Sequence, residues 1–175
     1  MAKQSKYATL TKAALSFSTP TSKYALILKP ASFASAEANA RKYGGYLAEL
    51  STASENRQVF EAITGFFAPS SYSKSTADDG GGSSYVWIGG SDAASEGAWS
   101  WLKSRTSIPV DGLEWGNGSL GNEPDNFGGN QDYLALGLQN WPYDVADGKG
   151  YGNAGMWNDL QGSNKLFYLV EFWQT

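Results

Sequence analysis

Side chains with oxygen ligands are concentrated in two short motifs in the second half of the chain. The first is Glu123-Pro124-Asp125, and the second is Asn158-Asp159, directly after Trp157. Carboxylates and amide carbonyls are the ligands that Ca²⁺ prefers, and it binds about six to eight oxygens. Three carboxylates crowded together would repel one another strongly without a cation. The residue types therefore indicate a calcium site, provided that the fold brings the two motifs together.

Pro124 and two glycines could shape the first motif. An X–Pro bond adopts the cis form at modest cost, and a cis bond here would turn Glu123 and Asp125 toward one point. Gly128 and Gly129 would then let the chain turn back and bring Asp132 close. Taken alone, however, the motif favours a simpler interpretation, a turn-rich loop whose acids face water.

Composition narrows the possible functions. The 175 residues include no Cys and no His, so thiol nucleophiles, disulfides, Cys/His zinc sites and a His general base are all absent, and any metal must be held by oxygen. The formal net charge is -4 and no basic run occurs, so we expect no nucleic-acid partner. No apolar run reaches the length of a membrane span, so we expect no membrane insertion.

Hydrophobic patterning predicts an α+β fold in a single domain, residues 1–175, with an N-terminal extension over 1–22. We expect two early helices. One runs from Ser32 to Tyr43, and the other begins at a Thr52/Glu55 capping box and stops at Gly65. Strands are predicted at 7–10, 15–17, 24–29 (ended by Pro30), 46–48, 85–88, 99–101, 133–136 and 167–172.

Three segments lack a periodic apolar pattern. The Ser- and Gly-rich stretch 70–84 is predicted to be a flexible surface insertion, solvated rather than bound to ligand. The stretches 113–132 and 137–155 are predicted to be long loops, and long ordered loops usually carry function.

From Tyr24 to Trp173 the order of motifs resembles the C-type lectin domain family. The similar segments are the helix Phe33-Ala-Ser-Ala-Glu-Ala ending in Tyr43-Gly-Gly-Tyr-Leu-Ala, Ser54-Glu-Asn, Trp87-Ile-Gly-Gly, the loop 91–101, Glu123-Pro-Asp, Trp157-Asn-Asp and Tyr168-Leu-Val-Glu. Each segment is weak evidence alone, but their order and spacing are specific. The resemblance implies a double-loop α+β fold with calcium in the long-loop region.

The resemblance also implies roles for individual residues. Glu123, Asp125, Asn158 and Asp159 would hold a calcium ion whose shell is completed by vicinal hydroxyls of a sugar. Gln131 stands where the family usually has Glu, so it would be a weaker ligand or only a hydrogen-bond donor. A second ion would be held by four residues, Asp92, Glu96, Asn126 and Asp132. The alternative is that Asp92 and Glu96 lie in a solvated turn.

The sequence departs from the family pattern in three ways. The usual cysteines are missing, and Tyr133 stands where one is common, so core packing or calcium must hold the loops. The loop 137–155 is longer than usual. Glu-Pro-Asp lies between the motifs associated with mannose and with galactose, so the sugar is not determined.

Six of the seven tryptophans divide into core and loop positions. Trp87, Trp99, Trp101 and Trp157 lie in motifs that are core in this family, whereas Trp115 and Trp141 lie in loops. Exposed aromatic side chains beside a polar site stack on sugars or anchor peptides. Trp141 and Tyr143, with Tyr151, are therefore candidate ligand contacts.

The sequence leads to a calcium-dependent lectin that is not an enzyme. We expect it to be the ligand-binding module of a larger adhesin, outside the cell or at its surface. Since Met1 to Leu10 lacks the pattern of a signal peptide, the chain would be a fragment of a larger exported protein. The first alternative is a calcium-dependent protein- or peptide-binding module on the same fold. The second is a glycoside hydrolase using Glu123 and Asp125, which are too close in sequence to flank a glycosidic bond readily.

Overall fold

The computed structural model describes residues 15–66, 68–112 and 114–173, so the predicted strand at 7–10 lies outside the described residues. The helices are α1 (Phe33–Lys42) and α2 (Ala53–Phe66). The strands are β1 (Leu15–Ser18), β2 (Ser22–Ala31), β3 (Tyr46–Leu47), β4 (Thr76–Ala77), β5 (Ser83–Ser91), β6 (Ser100–Trp101), β7 (Asn117–Gly118), β8 (Gly121–Asn122), β9 (Tyr133–Gly137), β10 (Trp157–Leu160) and β11 (Leu166–Trp173). Neither of these helices is long and apolar enough to cross a membrane.

One large sheet organises the chain. Its main path runs β1-β2-β11-β5-β9-β10, and β3, β4 and β6 attach at its margins. The pairing of β5 with β11 is parallel, and the other pairings are antiparallel. Strands β7 and β8 form a separate small sheet within the first long loop. The architecture confirms the predicted α+β class.

The sheet separates two hydrophobic clusters, because successive side chains of a strand point to opposite faces. In β2, Leu26 belongs to one cluster, and Ala25 and Ile27 belong to the other. Val59 of α2 packs into the first cluster and Phe33 of α1 into the second, so each helix covers one face. The sheet is thereby buried on both sides and gives the loops at its end a rigid base.

The helix caps follow the predicted chemistry with one difference. The Ser32 hydroxyl accepts the Ser35 N–H at the start of α1. At α2, Thr52 Oγ1 accepts the Glu55 N–H at 3.1 Å, and the Glu55 carboxylate accepts the Ser51 N–H at 2.9 Å, one residue before the expected partner. The predicted stop at Gly65 is wrong, because α2 continues to Phe66.

Strand β2 is longer than predicted, because it runs through Pro30 to Ala31. Proline cannot donate to a neighbouring strand, so it is tolerated in a sheet only where no donor is needed. Here β1 pairs only with the stretch from Lys23 to Leu26, and the pairing with β11 shifts register close to Pro30. The proline therefore lies in the irregular stretch between the paired residues Ile27 and Ala31.

Four tryptophans form an edge-to-face series in the core beneath the long loops. Trp115 meets Trp99 and Trp157 with ring centroids 5.0 and 6.0 Å apart, and Trp101 meets Trp157 at 5.6 Å. The predicted core positions of Trp87, Trp99, Trp101 and Trp157 are confirmed by their burial. Trp115 joins them, and its indole N–H donates to the Pro109 carbonyl at 3.0 Å, which fixes the start of the first long loop.

The Ser- and Gly-rich segment 70–84 is not a solvated insertion. It contains a 3₁₀ helix at Pro69–Lys74, strand β4 and a second 3₁₀ helix at Asp78–Gly80, and Tyr72 is 3% exposed. Ser75 is fully buried, where its hydroxyl donates to the Tyr85 carbonyl and accepts the Phe167 N–H. Small polar side chains in this segment form hydrogen bonds with the backbone of neighbouring strands. Composition alone does not distinguish such a packed segment from a solvated loop.

Candidate metal centre

Three carboxylates from the two sequence motifs meet at one place. Glu123, Asp125 and Asp159 each offer an oxygen, and these oxygens all lie within 4.8 Å of one another. Glu123 and Asp159 are buried, whereas Asp125 is exposed. Among the residues that the structure describes, this is the one group of three or more such ligands close enough to share an ion. The two motifs therefore meet as the sequence predicts.

Strand β10 holds the first long loop in place. Its Asp159 carboxylate accepts the backbone N–H groups of Asp125, at 3.2 Å, and of Asn126, at 2.8 Å. The strand is itself paired with β9, where Asp159 lies opposite Leu134. The Glu123–Pro124 peptide is cis, as the sequence allows. Asp159 thus both closes the loop and belongs to the carboxylate group.

Glu123 has one partnered and one unpartnered carboxylate oxygen. Its Oε1 accepts the Trp141 indole N–H at 2.8 Å, while Oε2 is buried and has no hydrogen-bond partner. Burial raises the pKa of Glu123 to about 8, the Trp141 hydrogen bond opposes that rise, and the charges of Asp159 and Asp125 add to it. Such a carboxylate, buried beside other negative charges, lacks a positive charge that would stabilise its ionised form.

Asp159 also lacks a compensating positive charge, although its pKa is raised less than that of Glu123. Burial raises its pKa to about 6, the Asn126 N–H works against that rise, and the charge of Asp125 adds to it. No Lys or Arg lines either cavity that flanks the group. A divalent cation would supply the missing charge and a partner for Glu123 Oε2, so the residues fit a calcium ion.

Asn158 lines the same cavity as Glu123 and Asp125 and offers an amide oxygen there. Its amide nitrogen donates to the Tyr85 hydroxyl at 3.1 Å, and that hydroxyl donates to the Gly80 carbonyl at 2.7 Å. Burial raises the pKa of Tyr85 well above its usual range, so the hydroxyl stays protonated. With its nitrogen committed in this way, Asn158 has Oδ1 left for a cation.

Gln131 is fixed by contacts that do not involve the carboxylate group. It is 2% exposed, its amide oxygen accepts the Phe127 N–H, and its amide nitrogen reaches the carbonyl of Asp79 at 3.1 Å and the carboxylate of Asp79 at 3.3 Å. Of the two roles left open by the sequence, the geometry favours the hydrogen-bond donor. A Glu at this position could not donate to Asp79.

Asp79 is a structural centre that sequence reasoning missed. Besides Gln131, its carboxylate accepts the Gln161 N–H at 2.8 Å and the Asn164 amide at 2.6 Å. It therefore connects three loops: the segment before β5, the first long loop and the turn between β10 and β11. Only the acidic pair in a Ser- and Gly-rich stretch marked it in the sequence, and that pattern is typical of solvated loops.

The four residues predicted for a second ion are less well assembled. Asp92 is buried with Oδ1 unpartnered, while its Oδ2 accepts the Gly97 N–H at 2.8 Å. Burial raises the pKa of Asp92, and the charges of Glu96 and Asp132 add to the rise. However, Glu96 is exposed, and the Asn126 amide oxygen already accepts the Gln131 N–H at 3.0 Å. Asp132 contacts Asp92 through its backbone carbonyl.

Trp141 is buried and not exposed as the sequence suggested, although it is among the residues that line the Phe127 cleft. Its side chain is 2% exposed and packs edge-on against Tyr85, with ring centroids 5.6 Å apart. Gly152 gives room for it, since a Cβ there would come within 2.2 Å of the indole. Tyr143, by contrast, is 61% exposed, and Tyr151 is partly buried. The sequence signal that could have indicated burial was the number of glycines near Trp141, because a glycine leaves room for a large ring.

Two of the cavities that reach the carboxylate group concern the site. The Phe127 cleft, of about 200 Å³, is lined by Glu123, Asp125 and Asn158 together with Asp78, Asp79, Gly80, Gly81, Phe127, Trp141, Pro142 and Tyr151. The Glu96 cleft, of about 320 Å³, is lined by Glu123 and Asp159 together with Glu96, Gly97, Trp99, Val110, Asn122, Pro124 and Asn126. Asn158 lines the first cleft and Asp159 the second, as expected for successive residues of a strand.

Comparison with known proteins identifies the fold. No protein-family model matches the chain, and a search of curated proteins finds no match. Among solved structures, the mouse scavenger receptor C-type lectin carbohydrate-recognition domain has a TM-score of 0.62 at 20% identity, covering 91% of this chain and 94% of that one. The C-type lectin CEL-I from Cucumaria echinata has a TM-score of 0.64 at 17% identity, covering 95% and 99%.

Not all structural neighbours share one ligand chemistry. A calcium-independent type II antifreeze protein has a TM-score of 0.59 at 18% identity, covering 91% of this chain and 92% of that one. At such identities the likeness establishes the fold and leaves the site to be argued from its own residues. The chain has the C-type lectin fold and contains no cysteine.

Proposed function

We propose that this domain binds carbohydrate through a calcium ion held by Glu123, Asp125, Asn158 and Asp159. The observation that carries the proposal is the group of three carboxylates within 4.8 Å, two of them buried, with Glu123 Oε2 unpartnered. Burying such charges without compensation is costly. A divalent cation offsets that cost, and nothing else among the residues lining the site does so.

The site can hold an ion and remain open to a ligand. Glu123 and Asp159 are fixed by hydrogen bonds before any ion arrives, whereas Asp125 is exposed at the rim. Four side chains do not fill a shell of about six to eight oxygens, so positions remain for hydroxyls of a sugar. Because Asp125 faces solvent, we expect it to contact both the ion and the sugar.

A second ion beside Asp92 is a weaker part of the proposal. Its support is the buried, unpartnered Oδ1 of Asp92, next to Glu96 and the backbone of Asp132. Calcium titration would show two ions per chain, reduced to one in Asp92→Asn. One ion per chain in both proteins would exclude this second site.

The proposed activity is binding and not catalysis. Hydrolysis of a glycosidic bond requires two carboxyl groups on opposite sides of the bond. Glu123, Asp125 and Asp159 instead converge on one point, and two of the three are committed to hydrogen bonds that hold the loop. The domain would then serve as the ligand-binding module of a larger adhesin, outside the cell or at its surface.

A glycan array run with calcium and with chelator tests the proposal. We expect signals that require calcium and disappear in Asp125→Asn. The matched control is Asp144→Asn, an exposed acid of the second long loop that lines neither cleft. Calcium-independent signals, or full signals in Asp125→Asn, would contradict the proposed site.

One observation favours a protein or peptide ligand as the second candidate. The exposed large hydrophobic residues among the described residues are Phe66, Val110, Leu120, Phe127 and Tyr143, and the last three lie on the long loops. Exposed apolar side chains around a polar site are common in protein interfaces. If binding requires calcium, ignores every free sugar and is lost in Tyr143→Ala, the ligand is a protein or peptide.

A further inference from the structure

The Phe127 cleft is more acidic than one ion can explain. Its lining includes four carboxylates, those of Asp78, Asp79, Glu123 and Asp125, and no Lys or Arg. One calcium ion offsets two negative charges, and Asp159 adds a further negative charge to the ion site. Two or more negative charges therefore remain beside a cavity of about 200 Å³ when the ion is bound.

One residue of the lining also has a buried atom that lacks a partner. Glu123 is 6% exposed, lines this cleft and has an unpartnered Oε2. Asp79 is not short of partners, since Gln131, Gln161 and Asn164 donate to it. Asp78 is different, because it is exposed at the mouth of the cleft, so its carboxylate is free to meet a ligand.

The lining of the same cleft includes apolar and aromatic side chains. Phe127 is 66% exposed, and Trp141, Pro142 and Tyr151 also line the cleft. Gly81 has φ +67° and packs against Pro142, because a Cβ there would come within 2.8 Å of the proline. An exposed aromatic side chain in the same cleft as carboxylates suits a flat sugar face that bears a cationic group.

We propose that the Phe127 cleft selects sugars that carry a protonated amino group, with Asp78 as the residue that pairs with it. This inference rests on the proposed calcium-dependent sugar site and names the class of ligand for it, hexosamines with a free amine. The sugar would bind the ion through its hydroxyls, place one face against Phe127 and direct its ammonium group toward Asp78.

The test compares sugars that differ mainly in charge. Binding of glucose, glucosamine and N-acetylglucosamine, and of the matching galactose series, is measured by calorimetry with saturating calcium at pH 6.5, where the amine is protonated. We expect the free-amine sugar of at least one series to bind about fivefold or more tightly than its N-acetyl form, the order of one partly exposed ion pair. In Asp78→Asn the preference should fall to about one, with the number of calcium ions per chain retained. Asp144→Asn is the control and should keep the preference.

The outcomes separate the two proposals. Calcium-dependent sugar binding without an amine preference, or with a preference that persists in Asp78→Asn, overturns this inference and leaves the proposed function intact. Loss of one calcium ion per chain in Asp78→Asn also overturns it, because Asp78 would then be a metal ligand. If no sugar of either series binds with calcium present, the sugar site itself is contradicted, and the amine preference with it.

Discussion

The indole N–H of Trp141 donates to Oε1 of Glu123 at 2.8 Å and leaves Oε2 of the same carboxylate buried without a partner. One oxygen is thereby fixed in direction, and the other is presented to the space shared with Asp125 and Asp159. The second long loop, which supplies Trp141, therefore orients a residue of the first. The two loops depend on each other at the proposed ion site.

Calcium should stabilise the fold. An ion that binds only the native state adds about 2.7 kcal/mol at a concentration one hundred times its Kd. We expect thermal melts of the wild type to shift upward with calcium, and the shift to be absent in Asp159→Asn, which keeps the shape of the side chain. Superimposable wild-type melts with calcium and with chelator would exclude this role.

Trp141→Phe should weaken calcium binding without unfolding the domain. Phenylalanine keeps most of the buried volume but removes the donor to Glu123, and an unsatisfied buried partner costs about 1–3 kcal/mol. We expect a loss of roughly fivefold or more in calcium affinity, measured by calorimetry, with the circular dichroism spectrum retained. Tyr143→Phe, at an exposed aromatic residue of the same loop, is the control. Equal calcium affinity in both variants would show that the indole N–H does not orient Glu123.

The contact between Gln131 and Asp79 should require the amide N–H group of Gln131. Gln131→Glu removes the donor and places a second carboxylate beside Asp79, so we expect a loss of about 1–3 kcal/mol in the free energy of unfolding. Adding Asp79→Asn should recover part of that loss, because the new amide can donate to the new carboxylate. Denaturant unfolding of the two single variants and the double variant measures the coupling. Strictly additive losses would contradict the contact.

Without calcium, stability should fall as pH rises from about 4.5 to about 8. The pKa of Glu123 is raised from 4.5 to about 8 by burial, so the native state binds more protons than the unfolded state across that interval. Stability contributed by the protonated form is present at low pH and is lost as pH approaches 8. Calcium should reduce this slope, because it stabilises the ionised carboxylate.

Glu123→Gln separates this effect from those of other buried acids. The pKa values of Glu171 and Asp92 are also raised by burial and contribute slopes of the same sign. The difference between wild type and Glu123→Gln in denaturant unfolding, followed across this pH range with chelator, reports Glu123 together with its coupling to Asp159, whose pKa is raised to about 6. A difference that does not change with pH would show that Glu123 does not titrate in this range.

The fold and the centre of the site were predictable because both depend on local patterns. Short apolar runs identify β5 and β11, capping residues identify the two helices, and the acidic motifs mark Glu123, Asp125 and Asp159. These patterns persist in the structure because tertiary packing agrees with them. Pro30 and Gly65 were wrongly predicted to end strand β2 and helix α2. Each lies at a position where that strand or helix tolerates the residue.

The walls of the site could not be predicted, because they depend on contacts between residues distant in sequence. Asp79 meets Gln131 and Asn164 across 52 and 85 residues, and no local pattern encodes such contacts. Trp141 was misassigned for the same reason. A tryptophan in a Gly- and Asn-rich loop resembles an exposed platform until the glycines that make room for its ring are located in space.

The central claim is that one calcium ion is shared by the protein and its ligand, and thermodynamic linkage tests it most directly. Calcium affinity is measured by calorimetry with and without a saturating sugar identified on the array. If sugar hydroxyls complete the calcium shell, the sugar must tighten calcium binding by the same factor by which calcium tightens sugar binding. We predict equal factors of at least about tenfold, and no such linkage in Asp125→Asn. A calcium affinity that does not change when the sugar is bound would contradict the account.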